Sequence, residues 1–191
     1  MIPDNTFRWS IEAAWISFVV YWLVMAFSVK RVEKKESRSS RAAYTAIVAV
    51  AVLLFKYDLD WTPLLWRFVP DTRAWILAGV LLTYAGVALA IWARTILGGN
   101  WSSSVTVKQD HTLIRSGPYA TVRHPIYSGI LLAGLGTAMV IGEMHCLLGV
   151  AIGLVGFRAK SRVEEGFMIG QFGKEYEDYR QHTRALIPFV L

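Results

Sequence analysis

From Ala74 to Leu97 the chain runs with a single charge, Arg94, close to its end. At about 1.5 Å per helical residue this run is longer than the roughly 30 Å hydrocarbon core of a bilayer. Nothing else in the sequence narrows the fold as much. Trp9 to Val29 repeats the signal with Glu12 as its only charge. Hydrophobic residues make up 54% of the 191 positions, above the share of about 45–50% in soluble domains. The chain therefore reads as an all-α integral membrane protein.

Three shorter apolar runs complete the expectation of about five transmembrane helices: Ala42–Phe55, Ile126–Ile141 and Cys146–Phe157. The last two, separated by Gly142-Glu143-Met144-His145, predict a tight helical hairpin, with Gly149 and Gly153 at four-residue spacing allowing close contact. The stretch 30–41, with six basic residues against two acidic ones, marks a cytoplasmic loop. With five spans the N-terminus falls outside and the C-terminus in the cytoplasm, so 16 of the 20 Lys and Arg lie inside. That asymmetry accounts for a pI near 9.6 without nucleic acid. Arg94, near the inner end of its span, can snorkel. No cleavable signal segment is expected, since the first apolar run lacks a small-residue cleavage site. One cysteine, Cys146, excludes a disulfide framework, and the four histidines lack metal-ligand spacing, so no metal is expected. Residues 1–191 read as one membrane domain, with 1–97 as three N-terminal spans and 98–191 as a second part.

Site-like residues concentrate between Leu113 and Gly129. Gly98-Gly99-Asn100 stops the preceding helix, and a polar connector follows with a possible strand at Ser104–Val107. Pro125 suits the first helical turn, and His124, which precedes a proline, is pushed out of helical geometry, so the helix should begin at Pro125. A helix start beside Arg123 and His124 could hold an anion. It could equally be an ordinary Pro-initiated membrane helix with interfacial Arg and Tyr.

A second cluster, Arg158, Lys160, Arg162, Glu164 and Glu165, follows the final span. Lys160 and Glu164 share a helical face, which could hold a cation and an anion together or form a solvated, salt-bridged juxtamembrane helix. The glycines of 134–136 and 149–156 lack the strand that a dinucleotide loop needs. His145 and Cys146, being adjacent on a helix, are not expected to face each other as a nucleophile pair.

In order along the chain, GPYATVRHPIYSG (117–129), Glu164-Glu165, FGKEYEDY (172–179) and LIP (186–188) resemble the isoprenylcysteine carboxyl methyltransferase family, which is related to phospholipid methyltransferases. The resemblance covers residues 98–191 and makes them a methyltransferase core. It implies S-adenosylmethionine as cofactor, bound in a cytoplasmic pocket built from the 98–125 connector and the C-terminal helices, and a lipophilic methyl acceptor entering from membrane lipid. It further implies that His111, Thr112, Leu113 and Ile114 line the nucleoside, that Tyr119, His124, Pro125, Ile126 and Tyr127 cover the other faces, and that Glu164 closes the pocket. Where the family has an arginine facing the acceptor, this chain has Lys160, which keeps the charge but not the planar fork. The anchor therefore falls to Lys160 or Arg162. The implied activity is carboxyl methylation of an isoprenylcysteine-like substrate. Methylation of a phospholipid or of a small lipophilic amine or thiol, and a non-catalytic membrane scaffold, are the alternatives.

Overall fold

Gly98, Gly142 and Gly173 each stop a helix. Each has positive φ (53°, 86° and 52°), and each donates its backbone N–H to the carbonyl four residues back. Such left-handed or related conformations cost glycine little and end a helix cleanly. The computed structural model describes residues 5–26, 32–35, 38–56, 62–100, 106–108, 112–188 and 190. Among the described residues six α-helices dominate: α1 (Asn5–Met25), α2 (Arg38–Lys56), α3 (Arg73–Leu97), α4 (Pro125–Ile141), α5 (Met144–Phe172) and α6 (Lys174–His182). A small antiparallel ribbon joins β1 (Val32–Lys35) to β2 (Thr106–Lys108), with Val32 opposite Lys108 and Lys35 opposite Thr106. It ties the basic segment after α1 to the connector after α3. The strand expected at Ser104–Val107 thus appears at 106–108; Ser104 and Val105 lie outside the described residues.

Among the described residues α3 is long and apolar enough to cross a membrane, while α4 is apolar but shorter, at 17 residues. The 14-residue run at Ala42–Phe55 lies inside a 19-residue helix, because α2 takes in the polar residues at both its ends. Large apolar side chains such as Val19 and Leu23 on α1, Val52 on α2, Leu81 and Trp92 on α3, and Val155 on α5 face outward. The interior between α1, α3 and α4 holds small residues: Ala14, Ala90 and Ala133 are fully buried. That inversion, with bulk outside and small residues inside, is the pattern of helices packed in lipid.

The tightest packing is between α3 and α4. A Cβ on Gly79 would stand 2.7 Å from the Gly136 carbonyl oxygen, and one on Gly129 2.6 Å from that of Gly86. Thr83 Oγ1 donates to the Gly79 carbonyl, and Trp15 Nε1 on α1 donates to Thr137 Oγ1 on α4 at 3.0 Å. This corrects the expected tight α4–α5 hairpin. The two helices do follow each other across Gly142 and Glu143, but Gly149 packs on Ala51 and Phe55 of α2, so α5 pairs with α2.

Arg94 also differs from expectation. It is fully buried and does not snorkel, with its guanidinium donating to the carbonyls of Gly98 (2.7 Å) and Met25 (2.9 Å), which binds the end of α1 to the end of α3. At the opposite end, Phe68 N–H and Met144 N–H pair with the carbonyls of Gly142 and Trp66, clamping 66–68 onto the α4–α5 turn. His145 is buried there, with Nδ1 on the Leu54 carbonyl and Nε2 2.8 Å from Glu143 Oε2. Cys146 Sγ does touch His145 Nδ1, at 3.5 Å. That nitrogen donates its proton to Leu54, so it is not a base for the thiol.

Candidate functional site

Gly117, at φ +60°, opens a 3₁₀ turn, Gly117–Ala120, that buries Pro118 and Tyr119. His124 sits at φ −125°, ψ 59°, outside helical geometry, and α4 begins at Pro125 as its sequence requires. The backbone on this corner is satisfied by a distant part of the chain. Arg123 N–H donates to the Arg184 carbonyl (2.8 Å) and His124 N–H to the Ala185 carbonyl (3.0 Å). Ser128 Oγ donates to the Leu186 carbonyl. Residues 183–186, which follow α6, therefore lie alongside 121–124, with Val122 and Arg184 in a parallel bridge. Tyr179 OH donates to the Tyr119 carbonyl at 2.6 Å, and Arg115 pairs with Glu175 at 2.6 Å, so α6 is held to the connector.

Beyond its apolar part, α5 brings Glu164 and Glu165 against this corner. Arg123 Nε donates to Glu165 Oε1 at 2.9 Å, Arg180 Nε stands 3.5 Å from Oε2, and His124 Nε2 lies 3.3 Å from Oε1. Glu164 receives Tyr127 OH on Oε1 at 2.6 Å and faces His124 Nδ1 with Oε2 at 3.1 Å. Both nitrogens of His124 thus point at carboxylates. The anion corner expected at the start of α4 is filled by the chain's own acidic pair.

The charges follow from this geometry. Burial works to raise the Glu165 carboxyl, but the hydrogen bonds from His124 and Arg123 and the Arg123 charge outweigh it and hold the group at about 2. Burial opposes ionisation of Glu164 too; the bonds from His124 and Tyr127 and the charges of His124 and Lys160 win, and its pKa is lowered. For His124 burial pulls the pKa down, yet the two glutamates lift it above its ordinary value.

Aromatic rings continue the site inward. His124 and Tyr127 are nearly parallel, 5.6 Å apart, and Tyr127 stacks on Phe157 at 4.7 Å. Phe157 also borders an apolar cleft of about 210 Å³ between α1, α2, α4 and α5, lined by residues such as Trp15, Val52, Phe55, Leu131 and Val150. Lys160 Nζ stands 5.3 Å from the Tyr127 ring centroid and 5.2 Å from that of Tyr44 on α2.

Of the residues singled out from sequence, His124, Tyr127, Lys160 and Glu164 come together. Tyr119, Pro125 and Ile126 are buried beneath them, with Tyr119 and Ile126 packed on Ala93. Ile114 joins that packing, Leu113 is half-buried and Thr112 exposed; His111 lies outside the described residues. Arg162 is exposed and makes no ion pair with the cluster. Glu165 and Arg123 form a pair with both side chains less than a tenth exposed, and Arg180, Ser128 and Tyr44 complete the site. The RHP motif signals Arg123 and the Glu164-Glu165 pair signals Glu165, while Arg180, Ser128 and Tyr44 are set by contacts far apart in sequence.

A bundle with an apolar exterior, a polar cluster at one end and an apolar cleft bordered by Phe157 has the pattern of an α-helical membrane protein rather than of a soluble nucleotide-binding fold. Residues 77–170 match the model of the isoprenylcysteine carboxyl methyltransferase (ICMT) family. That segment, just under half of the chain, is similar to this family, whose members are integral membrane enzymes. It is 36% identical over 118 residues to the protein-S-isoprenylcysteine O-methyltransferase of Rattus norvegicus, a match covering 59% of this chain and 41% of the relative. With that of Schizosaccharomyces pombe it shares 35% identity over 96 residues, 49% of this chain and 41% of the relative. The chain thus spans about two fifths of the length of these relatives. The solved structure of the eukaryotic intramembrane Ras methyltransferase ICMT has a similar fold, with a TM-score of 0.58 and 24% identity over 81% of this chain and 55% of that one.

Proposed function

We propose that the protein is a multi-pass membrane methyltransferase that transfers the methyl group of S-adenosylmethionine to the carboxylate of an isoprenylcysteine-like acceptor. The observation that carries this reading is the joining of the His124–Glu164–Tyr127 cluster to an apolar cleft through the Tyr127–Phe157 stack. Charged recognition and an apolar tail meet at one ring. Five spans, with the N-terminus outside and the C-terminus cytoplasmic, put this cluster on the inner face, consistent with 16 of 20 Lys and Arg on that side.

The donor set suits the cofactor. Glu164, half-buried and ionised, would take its ammonium or sulfonium cation; His124 and the face of Tyr127 would flank it, and Leu113 and Ile114 would border the nucleoside. When bound, the cofactor supplies an activated methyl group. The protein's own work is to align the acceptor and exclude water. Lys160 steers the acceptor oxygen. A carboxylate acceptor is already ionised and needs no base. This agrees with a site whose two carboxyls are hydrogen-bonded and held at low pKa, poor partners for removing a proton from an amine.

Calorimetric titration of the detergent-purified protein with S-adenosylmethionine, in the parent, His124→Ala and Glu164→Ala, tests the pocket. The expected result is binding in the parent and its loss in both variants. Transfer of labelled methyl to N-acetyl-S-isoprenylcysteine should then yield a product released by mild base, as an ester is and an N-methyl group is not. A folded parent that binds no cofactor would favour the non-catalytic scaffold.

A further inference from the structure

Lys160 and Glu164 lie four residues apart on α5, where an ammonium and a carboxylate ordinarily reach each other. Here they form no ion pair within 4 Å. Both Glu164 oxygens are engaged, one by Tyr127 OH and the other by His124 Nδ1. The Lys160 ammonium is instead drawn to two aromatic rings, Tyr127 from α4 at 5.3 Å and Tyr44 from α2 at 5.2 Å. Among the described residues Lys160 makes no hydrogen bond and no salt bridge. A ring attracts the charge through its face without consuming the N–H donors, so the ammonium is held in place with its donors available.

Tyr44 is 6% exposed and belongs to α2, the helix that packs along α5. It lies outside the segment 77–170 that carries the family resemblance. We propose that Tyr44 is a positioning residue that, together with Tyr127, holds the Lys160 ammonium off Glu164 and aims it at the anionic group of the methyl acceptor. The N-terminal half of the chain thereby takes part in choosing the acceptor. Lysine does here with two rings what a planar, forked cation does by its own shape. Without the Tyr44 face the flexible lysine chain settles toward Glu164, which weakens acceptor steering. This inference rests on the methyltransferase reading above.

The test uses the full-length protein, labelled S-adenosylmethionine and N-acetyl-S-isoprenylcysteine. Tyr44→Leu should raise the acceptor KM about tenfold while leaving cofactor affinity at the parent level. Tyr44→Phe keeps the ring face and should stay within about twofold of the parent, and adding Tyr44→Leu to Lys160→Met should cost nothing beyond Lys160→Met alone. An unchanged KM in Tyr44→Leu, an equal loss in Tyr44→Phe, or additive losses in the double variant would overturn the proposal. If the parent turns over and Tyr44 proves indifferent, only this inference falls; a parent without methyl transfer removes the functional reading and this inference with it.

Discussion

Arg123 and Glu165 face each other across 2.9 Å, from the turn before α4 and the polar half of α5, with both side chains less than a tenth exposed. A buried pair of this kind costs desolvation on both sides, and removing one partner strands the other. Glu165 also serves Arg180 and His124, so its loss strands more than one cation. Glu165→Ala should destabilise the protein by about 3–5 kcal/mol. Denaturant or thermal unfolding in detergent checks this, with Glu175→Ala, at the exposed Arg115 pair, expected to cost less than about 1 kcal/mol.

Stability should fall on both sides of a plateau in pH. The Glu165 carboxyl is held at about 2 against an ordinary 4.5, so its contribution is complete above 4.5 and is lost as pH falls toward 2. The His124 pKa is raised above its ordinary 6.5, so its contribution is complete below 6.5 and is lost as pH rises through the raised value. Unfolding midpoints measured across pH should show both limbs, and His124→Asn should remove the alkaline one and shrink the acid one to what Arg123 sustains.

Tyr127→Phe removes the 2.6 Å donor to Glu164 and keeps the ring against Phe157. This bond is made without any ligand, so its loss should lower stability by about 1.5–3 kcal/mol. Denaturant unfolding reads that loss, and Tyr127→Leu, which also removes the ring stacked on Phe157, should lose more.

Gly129→Leu should break the α3–α4 contact. Its Cβ would stand 2.6 Å from the Gly86 carbonyl oxygen and 2.7 Å from the Ala90 nitrogen, backbone atoms that cannot swing aside. Overpacking of this kind costs about 3 kcal/mol, and because Gly129 lies within the first turns of α4, cofactor affinity should fall too. Gly134→Ala, whose nearest neighbour is 3.7 Å away, is the control expected to leave both nearly unchanged.

What the sequence made legible follows the range of the physics. Pro125 as a helix start and Gly98 as a stop are properties of single residues, and each lies where its chemistry puts it. The membrane-length run Ala74–Leu97 is likewise α3, to within a residue. Partnerships between helices were hidden. Gly149 looks the same in sequence whether it meets α4 or α2, and nothing local announces that Arg94 turns inward to the Met25 carbonyl. In the site, the lysine–glutamate spacing pointed to α5, and the resemblance placed His124 and Tyr127 near it. The pairing of Arg123 with Glu165 needed the fold, since the motif alone left open whether an external anion would sit beside Arg123.

The segment 183–186 supplies four carbonyls, to Arg123 and His124 in the turn and to the Ser128 hydroxyl in the first turn of α4. These residues are synthesised after all six helices. The order of synthesis thus becomes an order of assembly: the helices can enter the bilayer and pack while the turn beside α4 still lacks its backbone partners. Competence arrives as a separate, late event, when 183–186 settles against the turn. A chain halted after α6 would therefore keep the packing of its apolar part while the turn beside α4 stayed without its backbone partners.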